Sequence, residues 1–219
     1  MPFWRPRGCV LWLDFLEPSG SVAYDKSGYG NHGTIHGAQR VRSLGRWGLE
    51  FDGVDDYVET PVVSVTNKFT IEALVLYEEG QPEGNYAGIV CNLNGCSDTN
   101  RFLVRADVVL LQLQISGETY NHFCYNIPQL QNVWRHYVAT YDGAAVRIFI
   151  DGEKRYEKAQ TGVLDSGTRP LYVGWGSTNP SYYHLRGVIA FVRIYNRALT
   201  SREIKANCAY FFSHLKGEV

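Results

Sequence analysis

Charge of one sign is what this 219-residue sequence lacks most plainly: 21 Lys and Arg stand against 22 Asp and Glu, a formal net charge of −1. No global positive field is available to hold a nucleic-acid backbone, so nucleic acid is not expected as a partner. Cysteine is sparse as well. Five in the whole chain is below the density of a disulfide scaffold, and no spacing resembles a Cys/His zinc site. Two bridges stay open beside plain thiols: Cys9 with Cys208, if the chain ends meet, and Cys91 with Cys96, which bracket a short loop. Cys124 is then left over. No apolar run approaches the ~20 residues that span a bilayer, so membrane insertion is not expected. The positively charged N-terminus is followed by an apolar stretch that Asp14 and Glu17 interrupt, so no secretory signal is visible.

Catalytic patterns are missing too. Glycosidases need two carboxylates projecting into one cleft. Glu72 has no acidic neighbour at 70 or 74, and Glu78 and Glu79 would point to opposite faces of a continuous strand. No Ser sits in a Gly-x-Ser-x-Gly elbow, and His136 reads as a strand residue rather than a base. The chain is not expected to be an enzyme.

What the sequence has is aromatic residues, 14% of the chain, and 22 Gly placed between short apolar runs. Strands are predicted at 9–15, 48–51, 57–60, 69–77, 88–92, 102–105, 109–115, 134–141, 146–150, 171–174 and 188–195. Asp151-Gly152, between Ile150 and Glu153, supplies a type I′ hairpin turn. Many short strands with almost no amphipathic helix predict an all-β protein, a two-sheet antiparallel sandwich. One helix start is clear: Thr200 and Glu203 fit a capping box, with a brief turn ending near Asn207. This divides the chain into an arm at 1–8, one domain at 9–208 and a tail at 209–219.

The order of motifs then carries a resemblance. LWLDF at 11–15, AYDKSGYGNHG at 23–33, LEFDGVDDYV at 49–58, FTI at 69–71, WRHYVATYDG at 134–143, VRIFIDG at 146–152, LYVG at 171–174 and GVIAFVRIYNRAL at 187–199 resemble the laminin G-like, concanavalin A-like jelly-roll family of lectin and glucanase-related domains. The resemblance implies a jelly roll in which the first strand runs beside the last. It also implies calcium near Asp25, with Gly30 and His32 offering backbone oxygens. The alternative for Asp25 is an Asx cap of its own turn. Where relatives carry an acid before the final strand, this chain has Ala190 and Phe191, which weakens the calcium expectation. Asp52, Asp55 and Asp56 form a second acidic group, read as a turn whose aspartates accept local amides.

One scaffold hosts many functions, so function must come from the site. The lectin-like expectation is carbohydrate binding, which needs aromatic faces for sugar C–H groups and polar side chains for hydroxyls. The loop WGSTNPSYYH at 175–184 supplies both, and so do Tyr86 and the Asn92–Asn94 stretch. Trp175, Tyr182 and Tyr183 are the expected walls, with Asn92 and Arg105 fixing orientation. The expected ligand is a glycan or glycoprotein. The alternative is a structural surface or virion protein (capsid, spike or tail) whose jelly roll mediates assembly or host attachment, with homo-oligomer or viral-particle partners. Either reading suits an extracellular surface or a virion.

Overall fold

Period-two alternation and Gly/Asp turns cut the chain into short strands, and the strands pair into two layers. The computed structural model describes residues 5–80, 86–95, 100–105, 107–116, 121–126, 131–177 and 183–213. In chain order the elements are β1 (Cys9–Leu13), β2 (Val22–Ala23), β3 (Gly33–His36), β4 (Gln39–Ser43), β5 (Arg46–Asp52), β6 (Tyr57–Thr60), β7 (Phe69–Tyr77) and β8 (Ala87–Cys91). There follow β9 (Arg101–Arg105), β10 (Val108–Leu113), β11 (Asn121–Asn126), β12 (Trp134–Tyr141), β13 (Ala145–Ile150), β14 (Glu153–Ala159), β15 (Leu171–Val173), β16 (Arg186–Tyr195) and one helix, α1 (Ser201–Ser213).

The first sheet runs β14-β13-β12-β7-β16-β5-β4, with β1 also paired to β16. The second runs β11-β10-β9-β8-β15-β6-β3-β2. The pairings are antiparallel, and the expected neighbourhood of the chain ends holds: Cys9 faces Tyr195 and Leu13 faces Val192. The β13–β14 hairpin turns on Asp151 and Gly152 at φ 52° and 80°, the left-handed pair that a type I′ turn requires. This is the two-sheet sandwich expected of the jelly-roll family.

Between the sheets lies a single core that includes Leu11, Phe51, Phe69, Ile71, Phe102, Phe123, Tyr137, Ile148 and Ile194. Each such side chain contributes on the order of 1.5–3 kcal/mol by leaving water. The two outer faces differ. The first sheet's outer face carries apolar clusters around a buried polar group and is roofed in part by α1, whose Ile204, Cys208 and Phe211 fall on one stripe. Phe211 packs on Phe191 with ring centroids 4.1 Å apart. The helix opens with the expected capping box: Glu203 Oε2 accepts from Thr200 N at 2.8 Å, and Glu203 N donates to Thr200 Oγ1 at 3.3 Å.

The helix is longer than expected. It passes Asn207 and reaches Ser213, because Phe211 gives its last turns an apolar seat beside Leu74, Val188 and Phe191. Residues 209–213 therefore belong to the packed unit rather than to a tail, and 214–219 lie outside the described residues, as do residues 1–4 of the expected arm. Among the described residues no helix is long and apolar enough to cross a membrane.

Candidate functional site

Among the described residues no helix lies over the second sheet's outer face. Alternation sends Val58, Val173 and Val90 into the core and turns their neighbours outward. Tyr57 on β6 stands opposite His36 on β3, and the two rings stack at 4.4 Å. Tyr57 also meets Tyr172 at 5.7 Å and Trp175 at 5.2 Å, and Tyr172 meets Trp175 at 5.1 Å. All of these side chains are half-buried. Trp175 is fixed from its far side by His184, stacked at 5.2 Å with 9° between the planes. Three strands and one loop thus build a continuous aromatic surface.

A second group adjoins it. The loop that carries Trp175 crosses the sheet where β8 and β9 run, and it can do so because both contact points are glycines. A methyl at Gly88 would overlap Gly176 N and the Trp175 carbonyl carbon, and one at Gly176 would come within 2.6 Å of Leu103 Cδ2. Gly88 N and Gly176 N both donate to Tyr183 O, at 2.8 and 3.1 Å. Arg101 Nη1 donates to Gly176 O at 2.8 Å while its Nε donates to Gln112 Oε1 at 2.9 Å. Its guanidinium lies 5.0 Å from the centre of the Tyr183 ring, and that of Arg105 lies 5.1 Å from the centre of Tyr86.

Of the residues expected to bind, Trp175, Tyr183 and Arg105 stand on this face. Arg105 is held by Asp107 through Nε and Nη2 at 2.6 and 3.1 Å. Tyr182 lies outside the described residues. Asn92 must be corrected: it is fully buried, adopts φ 60°, and donates its amide to Pro170 O at 3.1 Å, so it shapes a loop from beneath rather than standing on the surface. Sequence reasoning missed Tyr57, Tyr172, His36 and Arg101. An outward Tyr on a strand reads as ordinary β-propensity, and only the strand register shows that these rings meet.

The calcium expectation at Asp25 also needs correction. Its Oδ1 accepts from Trp12 N at 2.9 Å and Ser27 N at 2.8 Å, and its Oδ2 accepts from Ser27 Oγ at 2.7 Å and Asn31 N at 3.0 Å. Four donors occupy the lone-pair sites that a cation would need. His32 Nδ1 accepts from Asp25 N at 2.9 Å, so its imidazole ties the turn. The Arg5 guanidinium lies against exposed Gly28, a positive charge beside the same turn. Asp25 with Gly30 and His32 is an Asx-capped loop and does not fit calcium. The grouping that could hold a cation, among the described residues, is Asp52, Asp55 and Asp56, whose ligand atoms all lie within 4.8 Å of one another. Where the resemblance expects an acid before the last strand, Ala190 and Phe191 instead form the apolar floor under Phe211.

No bridge joins Cys9 to Cys208. Cys9 Sγ turns to Leu11 O at 3.2 Å, whereas Cys208 sits over the Gly152 turn. Burial pushes the two thiols up to about 12 and about 11, which keeps the reactive thiolate scarce. Cys91 Sγ reaches Asn92 Oδ1 at 3.3 Å, and Cys96 lies outside the described residues, so that pairing is not defined. Cys124 is an exposed thiol, and with Cys9 and Cys208 unbridged as well it is not a single cysteine left over from two bridges.

Glu72 is sealed beneath α1, on the opposite side of the molecule from the aromatic face. It is 0% exposed and receives His136 Nε2 at 2.9 Å, Asn207 Nδ2 at 2.9 Å and Tyr195 OH at 2.9 Å, with Arg193 Nη1 at 3.9 Å. Burial would raise its pKa, but the hydrogen bond and charge of His136, then Arg193 and Asn207, outweigh it and hold the carboxyl below its ordinary value. Such a group anchors a helix and meets no substrate.

Known proteins agree with this architecture. A sequence model described as the Concanavalin A-like lectin/glucanases superfamily matches residues 52–205. No curated protein resembles the sequence closely enough to match. Among solved structures, the binding domain of Paraclostridial Mosquitocidal Protein 1 superposes with a TM-score of 0.70 at 15% identity, over 94% of this chain and 52% of that one. The receptor binding domain of botulinum neurotoxin D gives 0.74 at 11%, over 93% and 53%. The chain thus spans about half the length of these toxin binding domains. Domain 4 of AbnA, a GH43 extracellular arabinanase from Geobacillus stearothermophilus solved in complex with arabinotriose, gives 0.68 at 16%, over 90% and 97%. Identities this low establish a shared fold. With the family match over residues 52–205 and the two antiparallel sheets, the chain belongs to the Concanavalin A-like lectin/glucanases superfamily.

Proposed function

We propose that this protein is a non-catalytic recognition domain that binds carbohydrate on the uncovered face of its second sheet. The observation that carries the reading is the half-buried group of Tyr57, Tyr172 and Trp175, preassembled on strands β6 and β15 and the loop beyond. Sugars present an apolar C–H face and a polar rim, and rigid rings take the first at little entropic cost. Arg101, beside Tyr183, and Arg105, beside Tyr86, stand on the same face to meet hydroxyls, with Gln112 bracing Arg101 from a buried position. The arabinotriose complex of AbnA domain 4 supports the class of ligand, since that domain matches this chain over nearly its full length. Binding without chemistry is supported by Glu72, whose carboxylate is spent on a buried network. Such a face suits a protein that meets glycans at an extracellular or particle surface.

A broad glycan array, run with and without calcium, identifies ligands, and titration of the best of them follows. Trp175→Ala and Tyr172→Ala are each expected to weaken binding by about 1–3 kcal/mol, one to two decades in Kd, with the fold intact by circular dichroism. A stable homo-oligomer that buries these rings, with no glycan signal, would overturn the reading in favour of an assembly surface.

A further inference from the structure

The polar end of the aromatic face is electrostatically one-sided. Arg105 is neutralised by Asp107 at 2.6 Å. Arg101 is not: its two acceptors, Gln112 Oε1 and the Gly176 carbonyl, are both neutral, and among the described residues no carboxylate pairs with it. Those bonds tie Nε and Nη1, leaving Nη2 without a protein acceptor among the described residues. The guanidinium is half-buried against the Tyr183 ring, so its position is set and part of its hydration is already removed. It also lies at the platform itself, 2.8 Å from the carbonyl of the residue that follows Trp175. At the other end of the platform stands an acid, Glu59, cross-strand from Tyr172 on the same outward row.

Resting on the carbohydrate reading of this face, we propose that the site selects acidic sugars, with the sugar carboxylate on Arg101 and the ring on Tyr57, Tyr172 and Trp175. A fixed, uncompensated guanidinium forms a charge-assisted bond with a carboxylate that a neutral hydroxyl cannot match. Glu59 repels the same carboxylate from the opposite end, so the charge pattern fixes the direction in which the sugar lies. Two sources supply this chemistry, sialic acids and uronic acids.

Matched pairs test the proposal on the wild-type protein. 3′-Sialyllactose is compared with lactose, and an oligogalacturonate with its carboxyl-reduced counterpart, by calorimetric titration. The expected result is that the acidic member of at least one pair binds tenfold or more tighter, with an advantage that shrinks as salt rises from 50 to 500 mM. The pair that shows it identifies the source. Arg101→Gln should remove the preference, weakening the acidic member of the pair at least tenfold more than the neutral member. Should that variant unfold, Arg101→Lys, which keeps the charge, should retain a reduced preference. Equal binding within both pairs, or a preference that survives Arg101→Gln, overturns the assignment and leaves the carbohydrate reading standing. No binding to any acidic or neutral glycan overturns both.

Discussion

Glu72→Ala is expected to destabilise the fold by about 3–5 kcal/mol, the range for removing one partner from a buried charged pair. The cost comes from what is left behind. Arg193 and His136 would lose their acceptor inside a dry layer, and Asn207 would lose the bond that pins α1 to the sheet. Arg193 is packed among Trp12, Phe191 and Phe211, with its guanidinium 4.1 Å from the centre of the Trp12 ring, so it cannot turn to water. The same network sets an acid limit. Because the folded pKa of Glu72 is depressed, its stabilisation is fully present above the ordinary carboxylate value and is lost as pH falls through the lower folded value. Urea denaturation at pH 7 checks the first expectation, and repeating it from pH 5 to pH 2 checks the second. A cost under 1 kcal/mol would mean that α1 is held by its apolar stripe alone.

Gly88→Ala is expected to have the largest effect on binding of any single methyl. The added carbon would overlap the backbone of Trp175 and Gly176, and neither can yield without leaving the sheet. Overpacking of this kind costs about 1–3 kcal/mol, and here the least anchored element is the loop itself. Its lift would break the bonds from Gly88 N to Tyr183 O and from Arg101 to Gly176 O, and would carry Trp175 away from Tyr57 and Tyr172. Glycan affinity should drop more than tenfold while the midpoint of thermal unfolding moves only a few degrees. Unchanged affinity in a folded Gly88→Ala protein would place the binding surface elsewhere.

Much of the fold was legible because central strands are apolar for a reason. Phe69–Tyr77 is buried at every position, one face by the core and the other by α1, and its limits match the sequence reading. Tyr57–Thr60 and Trp134–Tyr141 match equally well. The unanticipated strands lie at or near sheet edges. β14 reads EKRYEKA, with Tyr156 alone packed against the core, and β4 and β11 are nearly as polar. A strand with water on one side and no neighbour on one edge leaves little apolar pattern. The helix was underestimated because Phe211 acquires meaning only once Phe191 lies beneath it, and Cys208 only once the Gly152 turn does.

The site was legible in composition and not in geometry. Trp175 and Tyr183 of the 175–184 loop lie on the proposed face, yet Asn92, equally polar, is there to hold a left-handed turn. For Asp25 the sequence allowed a calcium ligand or an Asx cap, and four amide and hydroxyl donors decide for the cap. Tyr57 and Tyr172 are separated by more than a hundred residues, and no local pattern brings them together.

The indole Nε1–H signals of the five tryptophans, followed by NMR during glycan titration, test the location of the site most directly. Trp175 lies on the proposed face, Trp12 and Trp134 pack on the helix-covered side, and Trp47 is exposed on β5. A saturable shift of the Trp175 signal, with those of Trp12, Trp47 and Trp134 unmoved, is the predicted result. Saturable shifts at Trp47, Trp12 or Trp134 while Trp175 stays fixed would contradict the account.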